Sequence, residues 1–372
     1  MSSTPRKRLA PEAFVAGAVV VVLTVLVLAV FFSGLGSSLY PPHAATSQAR
    51  EVRGLYDIVF ALAIAIFLAV EGLIVWSILR YRRKPTDDEL PAQTHGNNLV
   101  EIIWTLIPTV IVLYLFFVSW QTLTTVDNVS ATPAVRIHAV AGQFAWQFEY
   151  QDADGRKVAT QLVPTWDKGG GMAVPVGKTV LVTLDSPDVL HAWYVPRFLF
   201  KRDVVPGQPN HFEFTVDASE AQDGKPAVYG GQCAELCGTG HRTMLFNVVA
   251  MTQTDYDAWL AALIVKFNAT PPPPPSGAPA VPLAAKSVKF DKTSIDVPAG
   301  VPFVIDFKNE DPAGTTHDVD IRRDDKTTEV QNQEVIDGGQ SRAYTYNPLD
   351  AGTYSFICSV HPTLMFGTLT VK

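Results

Sequence analysis

Three stretches of this chain carry almost no charge over the roughly 20 residues that an α-helix needs to cross a bilayer. Residues 13–32 hold no charged side chain, residues 58–79 hold one, Glu71, and residues 102–120 hold none. Basic clusters mark the cytoplasmic side of such segments. Arg6, Lys7 and Arg8 precede the first run, and Arg80, Arg82, Arg83 and Lys84 follow the second. With both clusters inside, everything after Trp120 lies outside. The first run fits a retained helix, the preferred reading, or a signal peptide with Gly34 and Ser37 near its cleavage point. Either choice leaves the C-terminal part outside, because the second and third runs form a hairpin.

From about residue 133 the pattern changes to short alternating runs, "AVRIHAV", "WQFEYQ", "TVLVTLDS", "HFEFTV" and "LFNVVAM", punctuated by "DADG", "DKGGG" and "VPGQP". Such spacing predicts a β-sandwich or barrel, closed by a short helix over "TDYDAWLAALI". The proline-rich "NATPPPPPSGAPAVP" reads as an extended tether. Strand patterns then return in "KSVKF", "VPFVIDF", "RAYTYN", "GTYSFIC" and "GTLTVK". The expected divisions are an N-terminal segment with an external loop (1–53), a helical hairpin (54–122), a first β-domain (131–267), the tether (268–282) and a second β-domain (283–372). The fold class is a membrane-anchored, otherwise all-β chain.

The net charge of −7 argues against a nucleic-acid partner. The chain has 3 cysteines, an odd number that does not suit a disulfide framework. Two of them stand in "GGQCAELCGTGHRTM", which offers Cys233, Cys237, His241 and Met244. Cys-x3-Cys alone would suit zinc. The thioether shifts the reading, because it is a soft ligand suited to copper. Two thiolates on one loop can bridge two ions, with His241 capping one and Met244 completing the other. The second imidazole expected is His191 in "DSPDVLHAWYVP". His43, His95, His138 and His211 lack such neighbours and are read as surface or core residues. Near the C-terminus, "YSFICSVHPTLMFGTLTVK" gives Cys358, His361 and Met365 as Cys-x2-His-x3-Met, with His317 upstream in "FKNEDPAGTTHDVDI". Two imidazoles, one thiolate and a distant thioether make a type 1 blue-copper set.

Residues 50–267 resemble subunit II of the haem-copper cytochrome c oxidases. The likeness is carried by "VEIIWTLIPTVIV", "GQFAWQFEY", "DVLHAWYVP", "KRDVVPG" and "GGQCAELCGTGHRTM". It implies a dinuclear CuA centre held by His191, Cys233, the backbone carbonyl of Glu235, Cys237, His241 and Met244. It also implies a magnesium site, shared with subunit I, to which Glu235 lends its side chain. Residues 283–372 resemble cupredoxins such as plastocyanin and amicyanin, which carries over His317, Cys358, His361 and axial Met365. Both β-domains are then expected to be cupredoxin-like Greek-key sandwiches.

The resemblance implies a subunit of an aerobic terminal oxidase in a prokaryotic plasma membrane, multi-pass, with its copper domains on the extracytoplasmic side. Its partners would be haem-bearing subunit I, the other oxidase subunits, and cytochrome c or a small blue-copper protein as donor. Glu101 matches the glutamate that, in the family, lies at the mouth of a proton-uptake channel; a helix-start carboxylate favoured by the helix dipole is the other reading. Glu71 is expected to face protein and hydrogen-bond a neighbouring helix. Where the family usually carries a tryptophan for electron input from cytochrome c, this chain has Phe144, and Trp146 matches a second family aromatic. The alternative class is a membrane-anchored copper protein that carries electrons or copper outside any oxidase.

Overall fold

The computed structural model describes residues 40–81, 93 and 95–372. The first apolar run, the basic cluster before it and residues 82–84 lie outside the described residues. The second and third runs fall in two helices, α1 (Ser47–Tyr81) and α2 (Asn98–Asp127). Both are long and apolar enough to cross a membrane. Asn97 starts α2: its Oδ1 accepts from the Leu99 and Val100 N–H groups at 3.0 and 3.2 Å. Glu101 returns the favour by accepting from the Asn97 N–H at 3.3 Å. These bonds satisfy donors that a helix N-terminus otherwise leaves open.

Residues 127–372 form a separate β-rich unit. Its first sandwich has a sheet in the order β3 (Lys157–Gln161), β2 (Ala145–Gln151), β1 (Val135–Gly142), β5 (Thr179–Asp185), β8 (Asn210–Thr215). The facing sheet runs β4 (Met172–Pro175), β10 (Leu245–Met251), β9 (Ala227–Cys233), β6 (His191–Tyr194), β7 (Lys201–Val204). Alternation decides which face is buried: β5 hides Val180, Val182 and Leu184 and turns the residues between them outward. Between the sheets Trp193 packs on Phe212 and Phe246, with ring centroids 4.7 and 5.7 Å apart. Trp146 joins Phe246 at 4.9 Å. Each fully buried aromatic contributes roughly 1.5–3 kcal/mol, so this cluster fixes the strands that carry the ligands. Helix α3 (Gln253–Asn268), capped by the Thr252 side chain, closes the sandwich.

The second sandwich repeats the plan. One sheet runs β11 (Ala280–Ala285), β13 (Phe303–Asn309), β16 (Ser341–Tyr346). The other runs β12 (Ser294–Val297), β18 (Phe366–Val371), β17 (Gly352–Ile357), β14 (Asp320–Arg323), β15 (Glu329–Gln331). In each sandwich one sheet contains a parallel pair followed by an antiparallel one, β1·β5·β8 and β11·β13·β16. The facing sheets match as well, β4·β10·β9·β6·β7 with β12·β18·β17·β14·β15. What the first has in addition is the β2–β3 pair at its edge.

One expected strand is not there. "KSVKF" forms a turn, and β11 lies upstream, taking in residues 280–282 of the segment read as tether. The reason is Asp311: its carboxylate accepts from the Ser287 and Val288 N–H groups at 2.5 and 3.1 Å. Those donors are thereby withdrawn from any ladder, and both residues take positive φ, 53° and 57°.

Candidate metal centres

The first site sits where three strand ends meet. His191 opens β6 and Cys233 ends β9, and the two strands pair through Trp193 and Cys233. The loop that follows returns to β10, and its neck is closed by the Cys233 N–H donating to the Met244 carbonyl at 3.0 Å. This closure gathers the side chains. The Cys233 and Cys237 sulfurs are 3.9 Å apart, too far for a disulfide, and both thiols are free. His191 Nδ1 lies 3.7 Å from Cys233 Sγ, and His241 Nδ1 lies 3.5 Å from Cys237 Sγ. Met244 Sδ stands 3.9 Å from Cys237 Sγ, and the Glu235 carbonyl oxygen 3.3 Å from Cys233 Sγ. His191 and Met244 are wholly buried.

The imidazole orientation is set from outside the ligand set. Asp188 accepts from His191 Nε2–H at 2.9 Å, which turns Nδ1 toward the sulfurs. Burial works against a charged His191, but the hydrogen bonds and negative charges of Asp188 and Cys233 together outweigh it and raise the imidazole's pKa. Burial also opposes ionisation of Cys233, yet the His191 hydrogen bond and backbone donors bring it down to about 6. Cys237 is pushed up to about 12 by burial and by the charge on Cys233. The pair therefore sheds one proton readily and holds the second, a balance that a bound cation tips toward two thiolates. The Glu235 carboxylate points away from the sulfurs to Lys201 Nζ, 3.3 Å off, and is exposed.

The second site repeats the geometry. His317 Nδ1 and His361 Nδ1 are 3.1 Å apart, and lie 3.6 and 3.5 Å from Cys358 Sγ. Cys358 and His317 are wholly buried, with His361 and Met365 nearly so. Cys358 N–H donates to the Met365 carbonyl at 2.9 Å, the counterpart of the Cys233–Met244 neck. Asp311 accepts from His317 Nε2–H at 2.8 Å, as Asp188 does for His191. Burial, and then the neighbouring His317, bring His361 down to about 4, so its ring is neutral at pH 7. Its Nδ1 faces the thiol, and its Nε2–H donates to the Gln143 carbonyl of the first sandwich at 2.8 Å.

The remaining expected residues fall elsewhere. Trp146 is fully buried on Phe246 and presents nothing to a docking partner. Phe144 lies at the β1–β2 turn with its ring 6.3 Å from that of His361. Glu101 belongs to the N-terminal cap of α2, and Glu71 is exposed on α1. His138 is held by Glu149 at 3.0 Å on paired strands, away from either site. Sequence reasoning missed Asp188, Asp311 and Gln143. An aspartate three residues before His191 was a usable signal; nothing in the sequence announces the other two.

Two thiols, two imidazoles, a thioether and a carbonyl in one pocket, and a thiol with two imidazoles in another, are soft donor sets that fit copper. Such sites on two stacked sandwiches of one topology define a cupredoxin-type copper chain. Residues 34–122 match the "Cytochrome C oxidase subunit II, transmembrane domain" and residues 135–251 its "periplasmic domain", while residues 259–371 match a "Cupredoxin-like domain". The "Cytochrome c oxidase subunit 2" of Alkalihalophilus pseudofirmus is 36% identical over 209 residues, 53% of this chain and 56% of that one. The "Probable cytochrome c oxidase subunit 2" of Streptomyces coelicolor is 31% identical over 258 residues, 60% of this chain and 79% of the relative. The chain thus spans little more than half the length of the first relative. The solved periplasmic domain of subunit II of the cytochrome oxidase (CoxB) of Bradyrhizobium japonicum is 29% identical, covers 36% of this chain and 96% of its own, with a TM-score of 0.31. This chain belongs to the cytochrome c oxidase subunit II family, and it carries a C-terminal cupredoxin-like domain.

Proposed function

We propose that the chain is the electron-accepting subunit of a proton-pumping terminal oxidase that reduces O2 to water in haem-bearing subunit I. The observation that carries this reading is the convergence of buried His191, Cys233, Cys237 and Met244 with half-buried His241 and the Glu235 carbonyl, the two sulfurs 3.9 Å apart. These residues would hold a dinuclear copper centre, CuA. His317, Cys358, His361 and Met365 would hold one type 1 copper. Both groups, when bound, supply one-electron transfer with little change in geometry. The protein's part is to fix the donors beforehand: strand ends set the cysteines, and Asp188 and Asp311 lock the first imidazole of each site. Glu235 would lend its carboxylate to a magnesium ion shared with subunit I.

In this reading α1 and α2 anchor the chain in a prokaryotic plasma membrane, and both sandwiches lie on the extracytoplasmic side as separate modules, 131–267 and 283–372. Glu101 stands at the mouth of the proton-uptake channel of subunit I. The fused cupredoxin relays electrons from cytochrome c or a small blue-copper protein to the first site. Phe144, at the family's usual electron-input position, fits a changed donor. The test is to purify the tagged chain from membranes. A large haem-bearing subunit should come with it, and Cys237→Ser should abolish donor-driven oxygen uptake. Recovery of the chain alone, loaded with copper, would leave a free-standing copper carrier instead.

A further inference from the structure

The β1–β2 turn, part of the hairpin edge that the second sandwich lacks, meets the metal loop of the second sandwich. His361 Nε2–H donates to the Gln143 carbonyl at 2.8 Å, with the Phe144 nitrogen 3.1 Å from the same atom. The Gln143 side-chain amide turns the other way and donates to the Cys237 carbonyl at 2.5 Å. Beside this contact Gln147 Nε2 donates to Asp337 at 3.2 Å, and both residues are buried. Asp337 also accepts from the Gly314 N–H at 2.7 Å. The two backbones approach so closely that a Cβ at Gly142 would lie 2.7 Å from the Gly314 oxygen. One at Gly314 would lie 2.4 Å from Val140 Cγ1. Exposed pairs such as Lys266 and Glu334, 3.4 Å apart, add little; the buried bonds and the glycine contact define the fit.

We propose that the second sandwich docks on the first through this fixed face, and that Gln143 is the bridge coupling the two metal sites. The bridge runs from His361 through the Gln143 main and side chain to Cys237 by bonds and hydrogen bonds, without a gap. Electron tunnelling decays more slowly along such a path than across space. Resting on the relay reading, one electron given to the second site by a soluble one-electron donor leaves it oxidised again and reduces the first; no proton or covalent bond changes hands. Gln143 thus acts as a positioning residue, and the tether keeps the docked face at high effective concentration.

The experiment uses the full chain in its complex. Gly142→Leu puts a side chain where Gly314 must approach, at a residue whose φ does not demand glycine, while Gln143→Ala removes only the side-chain half of the bridge. Hydrogen exchange of residues 142–148 and 359–365 reports docking, and flash reduction of the second site reports transfer to the first. Gly142→Leu should speed exchange in both segments. Either variant should slow transfer by at least about tenfold with copper content unchanged, Gly142→Leu through loss of the fixed geometry and Gln143→Ala through loss of the bonded path to the Cys237 carbonyl. Identical exchange in Gly142→Leu and the unsubstituted chain overturns the docking. Unchanged transfer in Gln143→Ala overturns the bridge and leaves the relay standing. No transfer at all in the unsubstituted chain overturns the relay, and the exchange data still judge the docking on their own.

Discussion

Asp311 has two tasks: it holds His317 by Nε2 and draws the Ser287–Val288 turn toward itself. Burial raises its carboxyl, but the His317 hydrogen bond and the two backbone donors outweigh this and hold it at about 2, so it is a carboxylate at any working pH. Asp311→Asn keeps an acceptor and removes the charge. Copper affinity at the second site should fall by about 10–100-fold, with the first site unaffected, as equilibrium dialysis would show. The cysteines separate the sites optically. Cys358→Ser should abolish the intense blue thiolate-to-copper absorption and spare the mixed-valence signal of the pair, and Cys237→Ser should do the reverse. The Cys–His–Met loops were legible in the sequence because a loop between paired strands presents its side chains a few residues apart; His191 and His317 lie far upstream of those loops and are brought to them by the strand pairing. Asp311 and Gln143 were not legible, because each acts on a residue that only folding brings near.

At the scale of elements, β14 starts with a buried carboxylate. Asp320 is pushed up to about 7 by burial and then by the charge of Asp318, itself raised by burial. Its ordinary value is 3.8. The folded chain therefore binds this proton more tightly than the unfolded one. The cost is absent below about pH 4, grows as pH rises to about 7, and is full above that. Asp320→Asn keeps the acceptor for the Gln333 N–H and should raise the melting temperature at pH 8, with no gain at pH 4. In α2, Glu101→Ala should slow oxidase turnover while copper content stays the same; normal turnover would leave Glu101 only its place in the Asn97 cap. The short strands between the alternating runs, such as β4, β6 and β14, carry too few residues to show a period. The runs themselves fall on strands except at "KSVKF". There the local pattern was sound, but a carboxylate from the 310–316 segment took the backbone donors. The tether's end was misjudged for a related reason: Pro282 joins β11 at a sheet edge, where its missing N–H does no harm.

Over the whole molecule, two sandwiches of one topology carry their sites at equivalent strand ends, and the first differs by an added edge hairpin whose turn receives the second. The sequence hints at this only through its two Cys–His–Met loops, since the matching strand orders share no motif. In the proposed reading one fold is used twice with different nuclearity: the two thiols of the first site would hold a pair of ions and the one thiol of the second a single ion. Among the described residues the free thiols are Cys233, Cys237 and Cys358, which sets the count. The direct measurement is quantitative metal analysis of the purified, copper-loaded chain, alone and with Cys358→Ser. Three coppers per chain are expected, falling to two in the variant. Stoichiometric zinc, or a single copper, would contradict the reading.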